Sequence, residues 1–195
     1  MIRLAQVADA DALSRIYAPS VTQRPISFER AAPEAPEMAA RIAATLPSLP
    51  WLVLAAEGGV LGFAYAAKHR ERGAYLWSVD VSVYVDERGQ RRGIARGLYT
   101  SLFALLRLQG YYAAHAGIAL PNPASVGLHE SLGFRLIGVF PRVGYKLDGW
   151  RDVGWWQLPL REREGEPAPP LSIPEAQREP GWSAALGAGV PLVRA

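Results

Sequence analysis

The sequence predicts a single mixed α/β (α+β) domain, and three observations carry that reading. Val79-Asp80-Val81-Ser82-Val83-Tyr84-Val85 alternates apolar and polar residues with the period of a half-buried strand. Leu98, Leu102, Leu105 and Leu106 recur at helical spacing and fall on one face. Both kinds of segment occur within residues 1–160, and a length of 195 residues suffices for one domain with a real core.

In chain order, residues 2–6 read as a strand and 11–19 as a helix opened by acidic residues. Residues 33–46 are expected to form a second helix. Residues 51–57 and 60–67 flank Gly58-Gly59, the signature of a hairpin with a two-residue turn. The central strand is expected over 75–85 and is followed by a helix over 92–109. A strand over 112–119 leads to a helix over 122–132, with Asn122 placed to cap it and Gly133 to end it. Residues 134–146 and 150–160 are expected to pair as the last two strands. There is no internal repeat.

Beyond residue 160 the composition changes to Glu, Arg and Pro, and then to Ala and Gly. Such a segment buries too little apolar surface to offset its ordering entropy, so residues 161–195 are expected to form a flexible tail. The alternative is that Trp182 and Leu192-Val193 dock on a neighbour.

Half of the residues are hydrophobic, yet no apolar run is long enough to span a bilayer. The N-terminal residues lack the charged-then-apolar pattern of a signal peptide. With no cysteine, disulfides, thiolate metal sites and cysteine nucleophiles are excluded, and a cytoplasmic protein is the simple expectation. The net charge of +3 is mildly basic, with Arg88, Arg91, Arg92 and Arg96 clustered in one turn. An acidic small-molecule ligand accounts for that cluster better than a nucleic acid, because interleaved aromatics are missing.

That turn, Gln90-Arg91-Arg92-Gly93-Ile94-Ala95, follows a strand ending at Asp86 and opens a helix. The first N–H groups of a helix are unpaired, and the positive end of the helix dipole lies behind them. A phosphate or pyrophosphate fits there, and the missing side chain of Gly93 lets it approach the main chain. The turn has neither the Lys-Ser/Thr ending of a nucleotide loop nor the spacing of a dinucleotide fold, which leaves coenzyme A as the leading ligand. A second segment, Asn122 to Phe134, places Asn122, Ser125 and His129 on one polar stripe beside the apolar Ala124, Leu128 and Leu132, as a cleft wall would.

The two segments, in this order, resemble the GNAT superfamily of acetyl-CoA-dependent N-acetyltransferases. Further segments, among them Ile26 to Glu29, Trp77 to Val85, Gly117 to Asn122 and Trp150 to Leu158, are similar to the phosphinothricin and methionine sulfoximine acetyltransferase branch. The resemblance covers residues 1–160. It implies a mostly antiparallel central sheet flanked by helices and splayed to admit acetyl-CoA, no metal, and a homodimer. It implies that Arg91, Arg92, Gly93, Ile94, Ala95 and Arg96 hold the pyrophosphate, with Asn122 and Ser125 along the pantetheine arm. Val83, Tyr84 and Val85 would pair with the pantetheine amides, and the backbone N–H near Val83 would serve the oxyanion.

A carboxylate in mid-strand is costly to bury unpaired, which singles out Asp80. The branch has Glu at this position as the base that takes the amine proton; Asp is one methylene shorter. His129 matches a catalytic histidine of the branch and can act as base or acid near neutrality. His69 and His115 read instead as core or cap histidines. For the acceptor the resemblance points to Phe28 and Tyr75, and to either Arg72 or Arg70, depending on the direction of counting across the loop. Trp150, Trp155 and Trp156 read as core or dimer surface. The expected reaction is acetyl transfer to the primary amine of a small amino-acid-like compound. The alternatives are a peptide or protein amine, and a non-catalytic coenzyme A-binding module.

Overall fold

A computed structural model describes residues 1–194. The strands are β1 (Ile2–Leu4), β2 (Trp51–Ala56), β3 (Gly59–Lys68), β4 (Ser78–Val85), β5 (Ala113–Leu120), β6 (Arg135–Lys146) and β7 (Gly149–Pro159). The helices are α1 (Ala10–Thr22), α2 (Ala35–Thr45), α3 (Ile94–Gln109), α4 (Pro123–Ser131), α5 (Ile173–Ala176) and α6 (Trp182–Gly187). All seven strands join one sheet in the order β1-β2-β3-β4-β5-β7-β6, antiparallel except for the β4–β5 pair.

The sheet is covered on both faces, and its alternation sorts side chains between two cores. Leu52, Leu54, Val79 and Val81 join Leu98, Leu102 and Leu106 of α3 in the larger core. Trp51, Val53 and Phe63 face the other way, onto Leu13 and Tyr17 of α1 and Met38 and Ile42 of α2. This explains why Trp51 to Leu54 is an unbroken apolar run: it is buried on both sides. The β2–β3 hairpin turns at Gly58 and Gly59, whose φ values of 88° and 109° lie where glycine is favoured.

Two expectations need correction. The central strand begins at Ser78, not Tyr75, because Gly73–Tyr75 forms a turn of 3-10 helix. Residues 161–194 are not a loose tail. Ser172 caps α5 through a reciprocal capping box with Glu175, and Ile173, Ala176 and Trp182 are buried in the larger core. The segment covers the outer side of α3, where Ser101 Oγ donates to Leu186 O at 2.8 Å and accepts from Gly189 N at 3.0 Å. The physical reason lies in α3, which is buried nearly all round (Leu98, Tyr99, Ser101, Leu102, Leu105 and Leu106) and needs a cover on the side away from the sheet.

The feature that positions the site is the parallel pair. β4 and β5 are in register at three rungs only, Ser78↔Ala113, Val79↔Ala114 and Asp80↔His115, and then they part. Trp77 O accepts from Tyr112 N on the β5 side, whereas Asp86 N donates to Leu61 O on the β3 side. Alternation therefore turns the backbone groups of Val83 and Val85, beyond the last rung, into the gap, where β5 no longer meets them.

Candidate active site

The Arg- and Gly-rich turn stands at one mouth of this gap. Gly93 has φ 77° and caps α3, and the first helical bond runs from Gly97 N to Gly93 O at 2.8 Å. The N–H groups of Ile94, Ala95 and Arg96 thus have no partner within the helix. A cavity of about 500 Å³ opens in front of them, with Val83, Val85, Arg91, Arg96, Asn122 and Ser125 in its wall. Unpaired donors, a helix N-terminus and two arginines fit a pyrophosphate. The arginine cluster itself divides. Arg91 and Arg96 line the cavity, and Arg96 donates to Ser131 Oγ at 2.6 Å. Arg88 is engaged by Asp86, and Arg92 is turned away, with Nε 3.3 Å from Arg194 O. Arg24, from the end of α1, lines the same cavity, although no sequence motif marked it.

The passage continues between β4 and β5, walled by Val81 to Tyr84 on one side and Ala116 to Ala119 on the other. Asn122 Oδ1 accepts from Ser125 N at 3.1 Å and so caps α4, with Ser125 and His129 one and two turns on. His129 is only 4 % exposed. Its Nδ1 lies 2.7 Å from Ser125 O, which only an N–H can satisfy, and this leaves Nε2 to accept from Tyr99 Oη at 3.2 Å. Burial lowers the His129 pKa and raises that of Tyr99, so imidazole and phenol are both neutral. Tyr99, which no sequence motif marked, also lines the passage.

At the far end lies a cleft of about 300 Å³ lined by Ser27, Phe28, Asp80, Ser82, Tyr84 and Trp155. Asp80 is at the apex of the gap. Burial raises its pKa, opposed by a 2.6 Å hydrogen bond from His69 Nδ1 and by the charge of Arg70. Phe28 packs its ring against Gly144, and its loop is pinned where Glu29 takes a forked pair from Arg41 at 2.7 and 2.9 Å. Tyr75 is exposed with its ring edge toward His69. Arg70 lies over Trp155, 5.5 Å from the ring centre, while Arg72 precedes the Gly73–Tyr75 turn on the surface.

Three readings therefore change. His69 and His115 are not independent core histidines: they stack at 4.3 Å, and His69 bonds Asp80. Trp155 walls the cleft beside Asp80, while Trp156 is core and Trp150 is exposed. The signal for His115 was its place on β5, since Asp80 and His115 pair directly once the strands are set parallel.

The description "Acetyltransferase (GNAT) domain" matches residues 2–155 of this chain. A phosphinothricin N-acetyltransferase of Streptomyces viridochromogenes is 41 % identical over 174 residues, which is 88 % of this chain and 92 % of that protein. An L-methionine sulfoximine/L-methionine sulfone acetyltransferase of Salmonella typhimurium is 34 % identical, over 83 % of this chain and 95 % of its own length. The crystal structure of a phosphinothricin acetyltransferase from Sinorhizobium meliloti in complex with acetyl-CoA superposes with a TM-score of 0.82. It is 32 % identical and covers 86 % of this chain and 92 % of that one. The chain belongs to the GNAT superfamily: it is an N-acetyltransferase whose co-substrate is acetyl-CoA.

Proposed function

We propose that the acceptor is the primary amine of a small amino-acid-like compound, similar to phosphinothricin or methionine sulfoximine. The observation that carries this reading is the cleft at Asp80: about 300 Å³, bounded by Phe28 and Trp155, with Arg70 stacked on Trp155 from the adjoining cavity. That volume suits a compact molecule. Arg70 is the arginine closer to the cleft and offers a carboxylate or phosphinate a forked partner.

Acetyl-CoA supplies an acetyl group activated as a thioester. Arg91, Arg96 and the N–H groups at the start of α3 would hold its pyrophosphate, with Val83 and Val85 offering backbone groups to the pantetheine amides. Asp80 takes the proton that leaves the acceptor nitrogen neutral for direct attack. The Val83 N–H, directed into the gap, stabilises the charge that develops on the carbonyl oxygen. At the sulfur end the C–S bond breaks and coenzyme A leaves as the thiolate, which takes up the second proton released from the acceptor nitrogen. The neutral His129–Tyr99 pair, with the Tyr99 O–H donated to His129 Nε2, lies beside it.

The exposed apolar row Leu136, Ile137, Val139, Phe140, Val143 and Tyr145 on the edge strand β6 supports a homodimer. Light scattering at micromolar concentration reads the mass directly. No helix among the described residues is long and apolar enough to cross a membrane, and the absence of cysteine accords with a cytoplasmic enzyme. To test the acceptor reading, thiol release is followed with acetyl-CoA and a panel of amino-acid analogues, with peptides as the contrast. Turnover on L-phosphinothricin or L-methionine sulfoximine is the expected result; turnover on peptides alone would overturn it.

A further inference from the structure

His69 follows β3, Asp80 lies on β4, His115 on β5 and Gln157 on β7, and the sheet register brings all four together. Gln157 Nε2 lies 3.0 Å from His115 Nε2. His115 stacks under His69, with ring centres 4.3 Å apart and planes within 17°. The rings of Tyr75 and Trp155 meet His69 edge-on at 5.8 and 6.1 Å. The imidazole of His69 is therefore boxed on three sides, with its Nδ1 aimed at Asp80 Oδ1, 2.6 Å away.

We propose that His69 is a positioning residue for acetyl transfer, holding the Asp80 carboxylate at the apex of the β4–β5 gap in the orientation that receives the amine proton. The proposal rests on the reading of Asp80 as the base. A two-atom arm such as the Asp side chain rotates about its first bond unless an external partner stops it. The hydrogen bond at Oδ1 is that stop, and it leaves the second oxygen for the amine. A charge-assisted bond of this length also favours the ionised carboxylate, which burial opposes.

The groups facing the pair are few. Arg70 lies beside it in the loop after β3, Tyr65 acts on it from β3, and Tyr75 borders it from the helical turn. From β5 comes His115, whose pKa is lowered to about 4 by burial and by His69, so the stack contains a neutral ring near pH 7. Ligand atoms of His69, Asp80 and His115 lie within 4.8 Å of one another, close enough for a divalent cation. The stacked rings argue against one, because near-parallel planes send their in-plane lone pairs side by side and not to a common point.

The test compares the parent, His69→Ala, His69→Asn, His115→Phe and Asp80→Asn proteins, using acetyl-CoA and L-phosphinothricin across pH. His69→Ala is expected to lower kcat by roughly 10- to 100-fold, as a misplaced catalytic group does. It should move the acid limb to higher pH and leave the KM for acetyl-CoA unchanged. Asparagine places an amide N–H near the position of Nδ1, so His69→Asn should restore the limb and much of kcat. His115→Phe keeps the flat support and should resemble the parent. Carbon-13 NMR titration of the Asp80 carboxyl supplies a readout that needs no acceptor: its midpoint should rise in His69→Ala and return in His69→Asn.

An unmoved midpoint in His69→Ala overturns the proposal, as does loss of activity on chelator treatment or in His115→Phe, which would assign the cluster to a cation. Full activity of Asp80→Asn would sink the base assignment itself, a failure distinct from an inactive Asp80→Asn beside an unaffected His69→Ala.

Discussion

Asp80 and His115 face each other at the last rung that joins β4 to β5. Beyond them the strands diverge, so the carboxylate marks the point where sheet gives way to cleft. One carboxylate thus sits between two cavities, the passage from the Gly93 turn and the cleft beside Phe28 and Trp155. From that placement follow consequences for kinetics and for stability.

Asp80→Asn removes the proposed base and keeps the shape. We expect kcat to fall by about 10²-fold or more, the typical contribution of a general base, with acetyl-CoA affinity unchanged by calorimetry. Retention of parental kcat would reject the assignment.

The pH dependence follows from the direction of the Asp80 shift. Burial raises its pKa above the ordinary carboxylate value, and the base must be ionised to work. The acid limb of kcat/KM should therefore lie above the usual aspartate range. The same shift sets a stability effect. A carboxyl with a higher pKa folded than unfolded holds its proton more tightly when folded, so above both values its ionisation costs stability. Asp80→Asn should raise the Tm at pH 7 and lose that advantage as the pH falls through the folded-state pKa. A lower Tm at pH 7 would contradict this.

Glu29 shows the opposite sign. The Arg41 hydrogen bonds hold its pKa below the usual value, so its contribution is present above the unfolded pKa and is lost as pH falls through the lowered one. Both side chains are about one-third exposed, 33 % and 35 %, and solvent screens the pair. Arg41→Met should cost on the order of 1 kcal/mol in denaturant unfolding. Because the Glu29 loop carries Phe28, the KM of the amine should rise while that of acetyl-CoA stays put.

Gly93→Ala probes the anion cradle from behind. At φ 77° an L-residue is strained, and a Cβ there would run into Leu192 O of the C-terminal segment. The expected result is a several-fold higher KM for acetyl-CoA, with the amine KM unaffected. An unchanged acetyl-CoA KM would show that the turn does not hold the pyrophosphate.

Trp182→Ala tests the cover over α3. Trp182 is 9 % exposed within the larger core, and its truncation should cost about 3 kcal/mol. Since Arg194 N donates to Arg92 O at 2.9 Å, the loss should also loosen the anion turn and raise the acetyl-CoA KM. A Tm within a degree of the parent would deny the segment a structural role.

Legibility in the sequence followed the range of the interactions. The alternation of Val79 to Val85, the Gln90 to Ala95 turn and the Asn122 cap are local patterns, and they stand where periodicity and capping chemistry put them. The His69–Asp80 bond and the Tyr99–His129 bond join residues 11 and 30 positions apart, across loops whose path no local pattern records. Docking of the C-terminal segment was hidden for another reason. Its own residues are sparse in apolar groups, and the demand for a cover is written in α3, whose Ser101, Leu105 and Tyr99 are buried along with the sheet-facing leucines.

The most direct test is a crystal structure with acetyl-CoA bound. The account predicts its pyrophosphate within hydrogen-bond reach of the Ile94, Ala95 and Arg96 amides, and its thioester carbonyl at the Val83 N–H beside Asp80. A pyrophosphate seated away from Gly93, or a thioester remote from Asp80, would contradict it.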